Sequence, residues 1–205
     1  MVDSELPREE QLVAFFVTKC AGKRALGRTQ LMKLLYLADY EARRYLGRPI
    51  SGLDYVWHHF GPYDDRFLSA IGVLETHNLV REERVMYPTG KEGYRYRPGG
   101  STNISYGFAP IELEILRHVC TTYSDLKLQA LLADVVYETE PMLEAKANDA
   151  RGERLNMEML NGVKRYEHGI SFEELHSRIQ AVRAGDFVPH VDVMRSLRQQ
   201  QHAAA

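Results

Sequence analysis

Cysteine is almost missing from this chain: Cys20 and Cys120 are the whole complement. Two thiols cannot build a zinc cluster. Each sits in an apolar helical pattern, which predicts two buried, inert thiols in a reducing compartment. Long apolar runs are missing as well. The longest early one, LVAFFV, is far too short to span a bilayer. The opening MVDSELPREE is acidic and lacks the apolar stretch of a secretory signal. A soluble, cytoplasmic protein is expected. Nor is there an excess of charge of one sign. A formal net charge of -2 provides no global field to draw in nucleic acid, which leaves only the option of a local basic patch.

The sequence is equally poor in catalytic motifs. No GxxxxGK[ST] loop occurs, and GGSTN does not open a helix, so a phosphate cradle is unsupported. No GxSxG elbow occurs. His58 and His59 are neighbours on a β-prone segment and would point to opposite faces, which is unsuited to sharing an ion. Glu173 and His176 have the i, i+3 spacing of a carboxylate-bridged metal helix, but such sites need two copies and only one is present. Cys20 or Cys120 acting with a histidine is the one catalytic pairing left open. No catalytic, cofactor-binding or metal-binding residue is expected, and the protein is read as a non-enzyme without cofactors.

What the chain does contain is helix. Pro7 followed by Glu9 and Glu10 marks a helix start, with proline in the first turn and acids at the positive end of the dipole. A second helix begins near Thr29, with Leu31, Leu34, Leu35, Ala38 and Ala42 as its core stripe. Gly47 suits the left-handed residue after a helix, and Pro49 forbids continuation. YVWHHF is short and β-prone, Gly61-Pro62 breaks it, and a third helix carries Phe67, Leu68, Ile71 and Leu74. A hairpin is expected from Leu79 to Pro98, then helices opened by Pro110 and Ser124, the latter ended or interrupted at Pro141. Beyond the polar segment ANDARGE, ISFEEL carries a capping box of Ser171 and Glu174, and the tail QQQHAAA has nothing to bury. The expected fold class is mainly α: a compact helical domain with a small β-hairpin in winged-helix-like order over 1–148, and a helical C-terminal extension with a disordered tail over 149–205.

Two binding readings follow. In the first, Tyr36, Tyr40 and Arg43 form a stripe beside the leucines, with Arg44 next to it. Tyrosine and arginine dominate interface hot spots, so the stripe suits a protein partner. Half-buried core tyrosines and an ordinary Asp39–Arg43 pair explain the same pattern equally well. In the second, the hairpin residues Arg81, Arg84, Lys91, Arg95 and Arg97 contact nucleic acid in the manner of a wing. The third helix argues against this, because Asp64, Asp65 and Glu75 stand against a single Arg66 and carboxylates repel phosphates.

The stretch LMKLLYLADYEARRYLGRPISGLDYVWHHFGPYDDRFLSAI resembles the signature of the Panacea domain, a family that includes SocA-like antitoxins and phage-associated GepA-like proteins. The resemblance rests on Lys33, Leu34, Leu35, Tyr36, Asp39, Gly47, Arg48, Pro49, Gly52, Gly61 and Pro62. A second block, LLADVVYETEPM, ends in the turn around Pro141. The match runs from about Glu10 to Ala147. It implies an antitoxin that neutralises a toxin encoded beside it by direct binding. In one branch of the family the antitoxin is an adaptor that delivers the toxin to an ATP-dependent protease. It implies no shared catalytic centre. Tyr36, Tyr40, Arg43, Arg44 and Trp57 are then the expected toxin contacts, and Lys33, Gly47, Gly61 and Pro62 are architecture. A winged-helix DNA-binding regulator acting on its own operon is the rival expectation.

Overall fold

The computed structural model describes residues 6–20, 25–87, 90–101 and 104–162. Helix α1 (Arg8–Cys20) starts with Glu9 and Glu10 in its first turn. The short strand β1 (Leu26–Gly27) leads directly into α2 (Arg28–Leu46). That helix stops because Gly47 takes φ 69° and returns its N–H to the Arg43 carbonyl at 3.0 Å. A left-handed residue at this place is what glycine adopts without a Cβ penalty.

Strands β2 (Val56–His58) and β3 (Gly61–Tyr63) form a tight antiparallel pair, with Trp57 opposite Pro62 and His58 opposite Gly61. Helix α3 (Arg66–Thr76) follows, then the hairpin β4 (Val80–Met86) and β5 (Glu92–Pro98). Helix α4 (Pro110–Tyr123) is succeeded by one turn, α5 (Leu128–Ala130). A π-helical turn (Leu131–Val135) and a 3-10 turn (Val136–Glu138) then bring the chain to α6 (Glu140–Ala147). Pro141 therefore opens a helix instead of ending one, which suits a residue without an N–H to offer. A last 3-10 segment is Met157–Gly162.

The mainly α expectation is corrected here. The fold is mixed α/β, with helix dominant and two small sheets: a three-stranded one ordered β1-β5-β4 and the two-stranded β2-β3. The unexpected strands have physical reasons. β1 is two residues long, too short for any alternation to show. Gly61-Pro62 is expected to break the strand and open the third helix, but Gly61 at φ 87° lets the chain reverse after His59 and Phe60 and pair back on β2, and the helix begins only at Arg66. Pro62 is tolerated because it lies at the edge of a two-stranded sheet.

The core lies where α1 packs on α2, α3 and α4, with β5 closing one side. Leu12, Phe16, Leu34, Leu35, Phe67, Leu116 and Leu131 are all fully buried there. Burial of each such side chain contributes about 1.5–3 kcal/mol. The expectation of two independent thiols is also corrected. The ends of α1 and α4 meet, and Cys20 and Cys120 are joined as a disulfide with Cα atoms 5.5 Å apart. A span of 100 residues between them leaves no local trace of the pairing.

After α6 the chain returns to β2. The Trp57 N–H donates to the Glu153 carbonyl at 2.9 Å, the Gly152 N–H to the Trp57 carbonyl at 2.9 Å, and the Leu155 N–H to the Tyr55 carbonyl at 2.8 Å. From 163 onward, the expected C-terminal helical extension, its capping box at ISFEEL and the tail lie outside the described residues. Among the described residues no helix is long and apolar enough to cross a membrane.

Candidate functional site

Helix α2 is the organising element, and its polar side chains reach the hairpin, the end of α4, β3, the turn after α2 and the start of α6. Asp39 is fully buried and accepts hydrogen bonds from the Ile50 N–H (2.7 Å), the Ser51 N–H (2.8 Å), the Tyr55 hydroxyl (2.7 Å) and the Ser51 hydroxyl. One carboxylate thus holds the whole turn that follows the helix. Burial pushes its pKa up, while the hydrogen bonds from Ser51, Tyr55 and Ile50 oppose the shift. Arg48, carried on the same turn, bonds Glu112 at 2.8 Å, and Arg8 bonds the other Glu112 oxygen at 2.5 Å. Burial raises the Glu112 carboxyl, but the bonds from Arg8, the Ala109 N–H and Arg48 outweigh it and hold the group below its ordinary range.

The tyrosine stripe faces the second helical block. The Tyr36 hydroxyl meets the Thr139 hydroxyl at 2.7 Å, and the Tyr40 hydroxyl donates to Glu140 Oε2 at 2.5 Å. Arg44 Nη1 donates to the Tyr40 oxygen at 3.1 Å. Burial pushes both phenols above their usual range, so both remain protonated donors. Residues 36, 40 and 44 follow one another at i, i+4 spacing, and together they clamp α2 to the start of α6.

Placement of the expected contact residues follows from this clamp. Tyr36 is 0% exposed, Tyr40 1%, Arg44 3% and Trp57 6%, while Arg43 is half-buried. The rings lie inside because the block around Thr139 and Glu140 covers the stripe that a lone helix would expose. Trp57 lies under the Arg151 guanidinium, 5.1 Å from the ring. The hairpin arginines are placed differently. Arg81 and Arg97 both bind Glu83, at 3.0 Å and 2.9 Å. Arg84, Lys91 and Arg95 have no carboxylate at ion-pair distance among the described residues. On α3, Arg66 is held by Asp64 at 2.7 Å, so the helix presents no uncommitted cation at its leading turn. Asp64 also accepts the Asp54 N–H at 2.6 Å and the Arg66 N–H at 2.8 Å, which makes it a helix-start and loop anchor. Among the described residues no group of three or more His, Cys, Asp or Glu side chains could hold a metal ion.

The two halves of the clamp, Leu31 to Gly52 and Leu131 to Pro141, are the two blocks of the sequence signature. The profile of a family described as antitoxin SocA-like, Panacea domain, matches residues 31–141 and so takes in both. The chain belongs to the SocA-like antitoxin family. No curated protein and no solved structure matches it. The Panacea signature now has a physical account. Lys-Leu-Leu-Tyr supplies a buried amine, two core leucines and one jaw of the clamp. Asp39 fastens the Gly-Arg-Pro turn, and Thr139-Glu140-Pro141 supplies the other jaw. Sequence reasoning missed the roles of Thr139 and Glu140. The signal lay in the recurrence of the Tyr spacing opposite a Thr-Glu-Pro helix start, which is legible only once the two blocks are known to touch.

The clamp carries a prediction. Tyr36→Phe and Thr139→Val should each lower stability by about 1 kcal/mol, with a coupling of about 1 kcal/mol in a double-mutant cycle read by urea unfolding. Strictly additive losses would mean that the two hydroxyls do not act as a pair.

Proposed function

We propose that this protein is the antitoxin of a toxin–antitoxin pair and neutralises its toxin by direct protein–protein binding. Membership of the SocA-like antitoxin family carries the reading. The role of the signature residues fits it: Tyr36, Asp39, Tyr40, Arg44 and Arg48 are all committed to holding the chain together. A scaffold whose signature residues are spent on internal bonds leaves the surface outside them to make the contacts with a partner. Delivery of the toxin to an ATP-dependent protease is a further step that the same scaffold would support. The decisive experiment is co-expression with the protein encoded beside it. The neighbour alone should arrest growth, and this chain should restore it. A harmless neighbour, or an arrest this chain leaves unrelieved, would remove the proposal.

DNA binding is the second reading, favoured by one observation: two helices, a third helix and a hairpin in a sheet ordered β1-β5-β4. Against it stand the exposed Asp65 just before α3, the exposed Glu75 on it, and the neutralised Arg81 and Arg97. Binding to the operon's own upstream duplex should fall steeply with salt if this reading holds. Retention that ignores salt, or none at all, removes it.

A further inference from the structure

We infer that the groove around the uncovered edge of β5 takes an extended, acidic segment of the toxin, added as a strand beside Glu92–Tyr94. The inference rests on the antitoxin reading and names the surface that would serve it. β1 pairs with β5 only at Arg95 and Tyr96, because the chain leaves the sheet at Arg28 to begin α2. Among the described residues no strand lies beside Glu92, Gly93 and Tyr94 on that side. Gly93 turns its backbone groups to Val85 of β4, so Glu92 and Tyr94 are the residues whose N–H and C=O groups face that side, where a peptide can complement them. The other sheet edge, β4, is guarded by the charged run Arg81, Glu82, Glu83 and Arg84, a common device against unwanted pairing.

The groove has a volume of about 600 Å³ and walls on both faces of the strand. On one face the Arg28 guanidinium stacks 3.7 Å over the Tyr94 ring. On the other, Tyr87 lies across Gly93, where any Cβ would collide with its ring, and Arg95 reaches over the same ring. Phe60 is 61% exposed at the rim, and Leu128 is exposed there too. Such apolar groups suit the alternate side chains of an added strand.

Charge decides the composition of the occupant. Among the described residues, Lys91, Arg95 and Lys127 line the groove without a carboxylate at ion-pair distance, and Glu92 is the one acid in the lining. A segment with Asp or Glu at alternate positions would complement them. Single-stranded nucleic acid also favours cations beside exposed rings. Its backbone, however, offers acceptors without N–H donors, so it would leave the β5 carbonyls unmatched.

The test uses the full chain carrying Phe60→Ser, Lys91→Glu and Lys127→Glu, all at exposed positions, with an unchanged thermal midpoint as the folding control. Lys127→Glu alone is the milder second variant. The probes are the purified product of the neighbouring gene and a fluorescent oligothymidylate. Wild type should bind the neighbour's product. The triple variant should bind at least about tenfold more weakly and the single variant about threefold more weakly. Amide exchange at Glu92 and Tyr94 should slow in the complex. If wild type binds and the triple variant stays within about twofold of it, the antitoxin reading stands and the groove assignment is overturned. Oligothymidylate binding that the triple variant loses, with toxin binding unchanged, assigns the groove to nucleic acid and likewise overturns it. If wild type itself does not bind the neighbour's product, the antitoxin reading fails and takes this assignment with it.

Discussion

Replacing Asp39 by alanine should lower the unfolding free energy by about 3–5 kcal/mol, the largest single-residue loss expected in this protein. The size follows from what the carboxylate leaves behind. Ile50 is 3% exposed, Ser51 5% and Tyr55 1%, so no water takes over the four donors that Asp39 now satisfies. Each buried donor left unpaired costs about 1–3 kcal/mol. The loss is less than four such costs because the carboxylate itself is desolvated, as its raised pKa indicates. For a chain of this size the thermal midpoint should fall by roughly 10 °C.

Asp39→Asn supplies the contrast. Its amide oxygen can still accept both N–H groups, while its NH2 can donate to the Ser51 and Tyr55 hydroxyls if these turn to accept. It should therefore lose only about 1–2 kcal/mol. The alanine variant should also loosen the turn that carries Arg48, and the amides of Ile50 and Ser51 should exchange much faster. An alanine variant as stable as the asparagine variant would show that the turn stands without the carboxylate.

That turn also marks how far the sequence could be read. The stop at Gly47 and Pro49 was legible because helix termination is local chemistry, and the core leucines of α2 because 3.6-residue periodicity is local too. Long-range partners were not. Tyr36 meets Thr139 across 103 positions and Tyr40 meets Glu140 across 100. A tyrosine stripe beside a leucine stripe reads the same whether it is covered by the chain's own second block or by another protein. Cys20 and Cys120 present the same problem, since each looked like an isolated apolar thiol. The two surplus strands escaped for a different reason. They are two and three residues long and exist only because β5 and β2 are there to pair with.

Stability should rise by about 3 kcal/mol between pH 7 and pH 9.5, and Lys33→Met should abolish the rise. Lys33 is 2% exposed, and its Nζ donates to the Pro62 carbonyl at 2.5 Å, beside Gly61 and Val136. Desolvation lowers its pKa from 10.5 to about 7. In the unfolded chain the amine stays protonated up to about pH 10.4. Between these values the unfolded state binds a proton that the folded state has released, so raising the pH favours the folded state by about 1.4 kcal/mol per unit. The rise should end near pH 10. There the unfolded tyrosines begin to ionise, whereas burial keeps the Tyr36, Tyr40 and Tyr55 phenols protonated in the fold, and stability is lost as pH climbs further. Urea unfolding of both proteins across this window isolates Lys33, because every other titrating group is shared. Parallel curves would mean that the ammonium keeps its proton inside the protein. The Pro62 carbonyl would then be stabilising a buried charge against desolvation, and the contact between α2 and β3 would be an ion–dipole bond instead of a neutral one.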